Sequence, residues 1–178
     1  STELRKNFVN GTLNSASLEG EDSNGNMALV RSHGKVKNVT DKIMLGYDDI
    51  YSIQYFGTNL RPYWNSKGDR TIEAEMLAAY NEYDKLLARC YAFDKKLMED
   101  ASAAGGKEYA ELCALAYRQS IAAHKLVEAP NGDLLWLSKE NNSNGCINTV
   151  DLTYPSAPLY LIYNPELEKG MMHGIFHY

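Results

Sequence analysis

The stretch that decides the fold runs from residue 71 to residue 127 and reads TIEAEMLAAYNEYDKLLARCYAFDKKLMEDASAAGGKEYAELCALAYRQSIAAHKLV. Thr71 is a typical N-cap, and acidic residues in the following turn complement the helix dipole. Apolar residues recur at steps of three and four, which predicts one long amphipathic helix up to the glycine pair Gly105-Gly106. A second helix is predicted over Lys107–Val127, with His124 on its inward side. Two long helices joined by so short a connection predict an antiparallel αα-hairpin.

The flanking stretches are less regular and contain short β-like runs. Residues 1–70 are polar and rich in turns, and the segment Gly46–Phe56 favours an extended strand because of its β-branched and aromatic residues. Pro62 places the run after it at a sheet edge or in a loop. We therefore predict an α+β fold that is dominated by helices, with short β elements near both ends. The predicted division is a β-rich segment over residues 1–70 and the αα-hairpin plus a loop-rich part over 71–178, together forming one compact unit cut from a larger protein.

Residues 128–178 begin with a turn over residues 129–132, followed by a short apolar strand, Leu134–Leu137. A polar loop separates this strand from a short apolar element over residues 158–163. Asn164 and Pro165 are then a typical cap and first residue of a further helix.

Composition excludes several classes of protein. The chain has 178 residues, of which 44% are hydrophobic and 23% charged, an ordinary globular balance. Its formal net charge of -5 lacks the basic excess of duplex-binding proteins, and no apolar run reaches the roughly 20 residues that span a bilayer. The three cysteines and four histidines show no metal-ligand spacing apart from His173 and His177, a weak pair four residues apart. From these observations together we expect no metal, cofactor, nucleic-acid or membrane partner.

The segment from Glu140 to Asp151 is the strongest chemical candidate. Asparagines such as Asn141 and Asn144 offer hydrogen-bond donors and acceptors to a polar solute. Glu140 and Asp151 could act as the acid and base that hydrolysis commonly requires. The alternative is structural, because Asn and Gly are common in turns and acidic residues often cap helices.

A second candidate lies at Asp48 and Asp49, which stand among aromatic residues such as Tyr51. Adjacent acids amid aromatic rings suit a polar ligand or a sugar that stacks on the rings. Trp64 and Arg61 could complete this subsite, or they could form an ordinary cation–π contact. A cap and core role for the same residues stays open.

Three strings in the sequence resemble stretches of a known family. They are SKENNSNGCINTVDLTYPSAPL at residues 138–159, YDDIYSIQYF at 47–56 and YNPEL at 163–167. Together they resemble the glutaminase A-type proteins, a secreted family from fungi and bacteria, over roughly residues 40–178. The resemblance implies a module that precedes and enters a six-hairpin, glycosidase-like helical toroid, with the αα-hairpin as the start of that toroid. It also implies an extracellular or periplasmic location.

Three hypotheses for function follow from the residues and the resemblance. The first is part of a glutaminase that hydrolyses the side-chain amide of L-glutamine, and the alternatives are a six-hairpin glycoside hydrolase and a non-catalytic ligand-binding or linker module. Glutamine or a sugar would be the small-molecule partner, and the remainder of the helical domain would be the protein partner. The candidate catalytic residues are Glu140, Asp151 and Asp49, and the candidate ligand-binding residues are Asp48, Tyr51, Trp64, Asn141 and Asn144.

Overall fold

The structure is a computed structural model that describes residues 6–7, 10, 12, 31–140, 142 and 144–178. It divides the chain into two units, Ser1–Ile43 and Met44–Tyr178. Residues 31–43 of the first unit contain neither helix nor strand. The predicted division at residue 70 stays a prediction.

The second unit contains the helices and strands that position the candidate sites. Its elements are β1 (Ile53–Tyr55), β2 (Thr58–Leu60), α1 (Ile72–Asn81), α2 (Tyr83–Gly105), α3 (Lys107–Ala122), β3 (His124–Glu128), β4 (Leu134–Ser138), α4 (Val150–Tyr163) and α5 (Pro165–Phe176). Strands β1 and β2 form one antiparallel pair, and β3 and β4 form another. The predicted helix-dominated α+β fold is confirmed.

The αα-hairpin is formed by α2 and α3. Gly106 links them with a φ of 84°, a left-handed conformation that glycine adopts without steric cost. The ring centroids of Phe93 on α2 and Tyr117 on α3 lie 5.1 Å apart, and Tyr163 at the end of α4 packs against both rings. The antiparallel hairpin that the sequence predicts is confirmed, and α4 packs against one side of it.

The first predicted helix is interrupted once. Thr71 caps α1 by accepting a hydrogen bond from the Ala74 amide at 3.3 Å, as predicted. At Glu82 the backbone leaves the helical region, with φ and ψ of -95° and 3°, and α2 begins at the next residue. No glycine or proline marks this break, and the apolar periodicity continues through it. The sequence pattern therefore does not indicate the interruption.

The prediction that the second helix continues to Val127 is wrong. Helix α3 ends at Ala122, and His124–Glu128 instead forms β3, whose residue Leu126 pairs with Trp136 of β4. The predicted turn at residues 129–132 and the predicted strand at 134–137 are both confirmed. Pairing with β4 and packing on both faces of the hairpin stabilise residues 124–128 as a strand. These long-range contacts prevail over the helical spacing of the segment.

The β3–β4 hairpin separates two groups of buried side chains. One face carries Val127, Leu135 and Leu137, which pack with Ile53 of β1 and Leu60 of β2. The other face carries Trp136, which packs with Tyr160 of α4 and Met171 of α5. Because side chains alternate along β4, one face of the β3–β4 hairpin packs on the N-terminal strands and the other face packs on the C-terminal helices.

Two predicted elements differ in length from the structure. The strand predicted at Gly46–Phe56 is limited to β1, and a two-residue turn at Phe56 and Gly57 connects β1 to β2. The short apolar element predicted at 158–163 is the second half of α4, which tolerates Pro155 and Pro158 within it. The helix predicted after Asn164 is α5, with Pro165 as its first residue.

Candidate functional site

Asp49 is held against the β3–β4 hairpin by Lys125. The Lys125 Nζ donates to Asp49 Oδ2 at 2.8 Å, and Ser52 Oγ donates to the same carboxylate at 2.9 Å. The Asp49 side chain is only 16% exposed. Burial raises the pKa of Asp49, but the hydrogen bonds from Lys125 and Ser52 and the charge of Lys125 outweigh it and hold the pKa below its ordinary value. Asp49 is therefore a carboxylate at neutral pH.

A pocket of about 240 Å³ lies beside Lys125 at this end of the hairpin. Its polar side chains include Lys125, Lys139 and Glu140, and the chain at Ala122–His124 completes the wall. We call it the hairpin-end pocket. The Lys139 amide donates to the Ala123 carbonyl at 2.8 Å, so the pocket lies where α3 ends and where β4 leads into the polar loop.

Two lysines that line this pocket contact the segment that contains Asp49. Lys139 Nζ donates to the Ser52 carbonyl at 3.3 Å, while Lys125 holds Asp49, three residues before Ser52. Glu140 follows Lys139 directly and lines the pocket. Asp49, Lys125, Lys139 and Glu140 thus form a group of charges of both signs at one end of β3–β4.

The polar loop after β4 is closed by backbone pairing. The Glu140 amide donates to the Cys146 carbonyl at 3.2 Å, and the Asn148 amide donates to the Ser138 carbonyl at 2.9 Å. Asn144 Oδ1 accepts from the Cys146 amide at 2.8 Å, which shapes the loop from within. Asn141 lies outside the described residues.

The remaining candidates occupy other places. Asp48 accepts from the Ile50 amide at 2.8 Å and so shapes its own turn. The Arg61 guanidinium lies 5.2 Å from the centre of the Tyr51 ring, a cation–π contact with a different ring from the Trp64 that the sequence suggests. Trp64 is half-buried in a short 3-10 helix at Tyr63–Asn65.

Asp151 is separate from the hairpin-end pocket in the described structure. It is exposed in the first turn of α4 and is not among the residues that line the pocket. A carboxylate at this position is favourable for the helix because the dipole is positive there. A catalytic role for Asp151 stays a prediction.

The sequence does not indicate Lys125, Lys139 or His124 as site residues. Lys125 fell inside a predicted helix, and its position beside Asp49 depends on pairing between distant segments. His124 donates from Nδ1 to the Ser120 carbonyl at 2.6 Å and stacks on Trp136 with centroids 5.0 Å apart. Burial lowers the pKa of His124, partly offset by the bond to Ser120, so it is neutral at pH 7.

Two family sequence models match adjacent parts of this chain. Residues 106–178 match the Glutaminase A six helical-hairpin domain, and residues 1–100 match a domain of unknown function, DUF5127. The chain belongs to the glutaminase A-type family. This confirms the resemblance that the sequence strings indicated. In this glutaminase A-type chain the first match ends within α2, and the second begins at Gly106, the turn of the αα-hairpin.

Curated relatives carry the same family name. The chain is 31% identical over 155 residues to Glutaminase A of Aspergillus oryzae, covering 84% of this chain and 22% of that protein. It is also 31% identical over 109 residues to a protein named as a probable glutaminase from Arthroderma benhamiae, covering 61% of this chain and 12% of that protein. The glutaminase A-type chain therefore spans about a fifth or less of the length of these relatives.

No solved structure matches the chain at a significant level. Within the described residues, none of the helices combines the length and apolar character that crossing a membrane requires.

Proposed function

We propose that this chain is part of a longer glutaminase and that the hairpin-end pocket contributes to binding and hydrolysing L-glutamine. The observation that carries this proposal is the group of charges of both signs around the pocket, formed by Lys125, Lys139 and Glu140 with Asp49 behind them. Free glutamine carries a carboxylate, which the lysines can bind, and a side-chain amide, which a neighbouring carboxylate such as Glu140 can help to hydrolyse. The names of the curated relatives support the same substrate.

The volume of the pocket suits a small solute. Pockets for drug-sized ligands span about 300–1,000 Å³. The hairpin-end pocket, at about 240 Å³, falls below that range. In the proposed complex the ammonium groups of Lys125 and Lys139 hold the α-carboxylate of glutamine by charge-assisted hydrogen bonds. Asp49 keeps Lys125 in place because its carboxylate stays ionised.

Glu140 is the proposed general base. It takes a proton from a water molecule whose oxygen attacks the side-chain carbonyl carbon, and the carbonyl electron pair moves to the oxygen. When the carbonyl re-forms, the C–N bond breaks and Glu140 returns the proton to the leaving nitrogen, so the products are glutamate and ammonia. Asn144 is a proposed donor to the oxyanion, because preorganised donors stabilise such intermediates.

Turnover by the longer protein that contains this chain tests the proposal. We expect equal amounts of ammonia and glutamate to be released from L-glutamine, and no sugar to be released from a panel of neutral oligosaccharides. Sugar release without glutamine turnover would contradict the proposal and would favour the glycoside hydrolase alternative. The rest of the helical domain stays a predicted partner, and the groove beside Phe93, Leu97 and Tyr117 on the αα-hairpin is the surface that it would cover.

A further inference from the structure

A second cavity, of about 330 Å³, differs from the hairpin-end pocket in its chemistry. It lies between the β1–β2 turn, the loop after β4 and the end of α5. The rings of Tyr55, Phe56 and Tyr178 line it together with aliphatic side chains, and Gln54 and Asn148 contribute amides. None of its described lining residues has a charged side chain. We call it the aromatic pocket.

Phe56 reaches this pocket at a conformational cost. It occupies the first position of the β1–β2 turn with a φ of 44°, and Gly57 follows with a φ of 81°. Such a two-residue turn favours Asn, Asp or Gly, and a left-handed backbone costs about 1–2 kcal/mol for other residues. Phe56 is 62% exposed as a residue, so burial does not offset this strain. Strained residues of this kind concentrate at ligand sites.

The rings of Tyr55, Phe56 and Tyr178 form an aromatic wall of the pocket, in which Tyr55 is steeply inclined to Phe56. Phe56 and Tyr178 are stacked with centroids 6.4 Å apart and an angle of 26° between their planes. The rings of Tyr55 and Phe56 make a T-shaped contact, with centroids 4.5 Å apart, that fixes their relative orientation. Aromatic faces carry partial negative charge and attract the weakly positive C–H groups of a ligand that lies flat on them.

A polar group is fixed beside the wall. The Tyr55 hydroxyl lies 3.1 Å from His177 Nδ1, and His177 Nε2 lies 3.2 Å from Asp133 Oδ2. Because the Asp133 carboxylate can only accept, Nε2 carries a proton, and in the neutral imidazole Nδ1 accepts the proton of Tyr55. The hydroxyl oxygen of Tyr55 is then oriented with lone pairs that can accept a hydrogen bond from a ligand hydroxyl.

We propose that the aromatic pocket binds a neutral sugar ring. A pyranose presents an apolar face of C–H groups to the rings and hydroxyl groups to the amides and to Tyr55. A glutamine zwitterion would find no opposite charge on the described lining, so this site is distinct from the hairpin-end pocket. The proposal goes beyond the proposed glutaminase activity and does not depend on it.

Binding of the full chain to an array of neutral gluco-, manno-, galacto-, xylo- and N-acetylglucosamine oligosaccharides tests this inference. We expect at least one neutral oligosaccharide to bind, and Phe56→Asn to weaken that binding by tenfold or more. The same substitution should leave the melting temperature unchanged or raise it, because Asn tolerates the left-handed turn. Tyr154→Ala, which removes an exposed ring on α4, is the matched control and should bind like the parent chain.

Three results would overturn the inference. One is that no neutral oligosaccharide binds, and another is that Phe56→Asn binds as tightly as the parent. The third is that Phe56→Asn lowers the melting temperature, since the ring would then serve packing. If the longer protein does not hydrolyse glutamine while this chain binds a sugar, only the proposal for the hairpin-end pocket fails. The two proposals therefore fail separately.

Discussion

Replacing Glu140 with Gln is expected to lower kcat/KM for L-glutamine by about 100- to 10,000-fold in the longer protein, the usual contribution of a positioned general base. Gln keeps the shape of the side chain and its hydrogen-bonding oxygen but cannot take a proton from water. The loss should appear in kcat, because the two lysines that hold the substrate carboxylate are unchanged. Steady-state measurement of ammonia release gives both constants.

Glu99→Gln is the matched control for this substitution. Glu99 lies on the exposed surface of α2 and pairs only loosely with Lys95, with Nζ and Oε1 3.7 Å apart. Its substitution makes the same chemical change and should leave kcat/KM within a factor of two. Equal kinetic constants for Glu140→Gln and Glu99→Gln would remove Glu140 from the mechanism.

Replacing Gly170 with Val is expected to lower the free energy of unfolding by about 2–3 kcal/mol, the usual cost of overpacking a core. Gly170 lies on α5 where this helix packs against the backbone of β4. A Cβ there would lie 3.0 Å from the Trp136 amide nitrogen and 3.2 Å from the Leu134 carbonyl oxygen. Both are backbone atoms of a paired strand, so they cannot move aside without disturbing the β3–β4 hairpin.

Denaturant unfolding of the full chain measures this change. Lys169→Ala is the control, because it alters the neighbouring residue on the exposed face of α5 and removes only a surface pair with Glu166. That variant should unfold within about 0.5 kcal/mol of the parent chain. If Gly170→Val were as stable as Lys169→Ala, the close packing of α5 on β4 would be wrong.

Local signals in the sequence were sufficient for the αα-hairpin. The apolar spacing of α2 and α3, the glycines at 105 and 106 and the Thr71 cap all act within a few residues, so pattern alone predicts them. The end of α3 was predicted wrongly because residues 124–128 also fit a helical spacing. Only their pairing with β4, about ten residues further on, decides between helix and strand.

The candidate site was predicted in part for the same reason. The sequence indicates Asp49 and Glu140 as chemical candidates because Asp49 lies among aromatic residues and Glu140 begins a loop rich in asparagine. The sequence does not show that Lys125 and Lys139 connect them, since those contacts join segments 76 and 87 residues apart. The strain at Phe56 was equally hidden, because it depends on the turn between β1 and β2.

The most direct test of the account is to locate L-glutamine on the full chain by two-dimensional NMR. Titration with L-glutamine is predicted to shift the amide signals of Lys125, Lys139 and Glu140, with little change at Phe56 in the aromatic pocket. Shifts confined to residues outside the hairpin-end pocket, for example around Asp151 at the start of α4, would contradict the account.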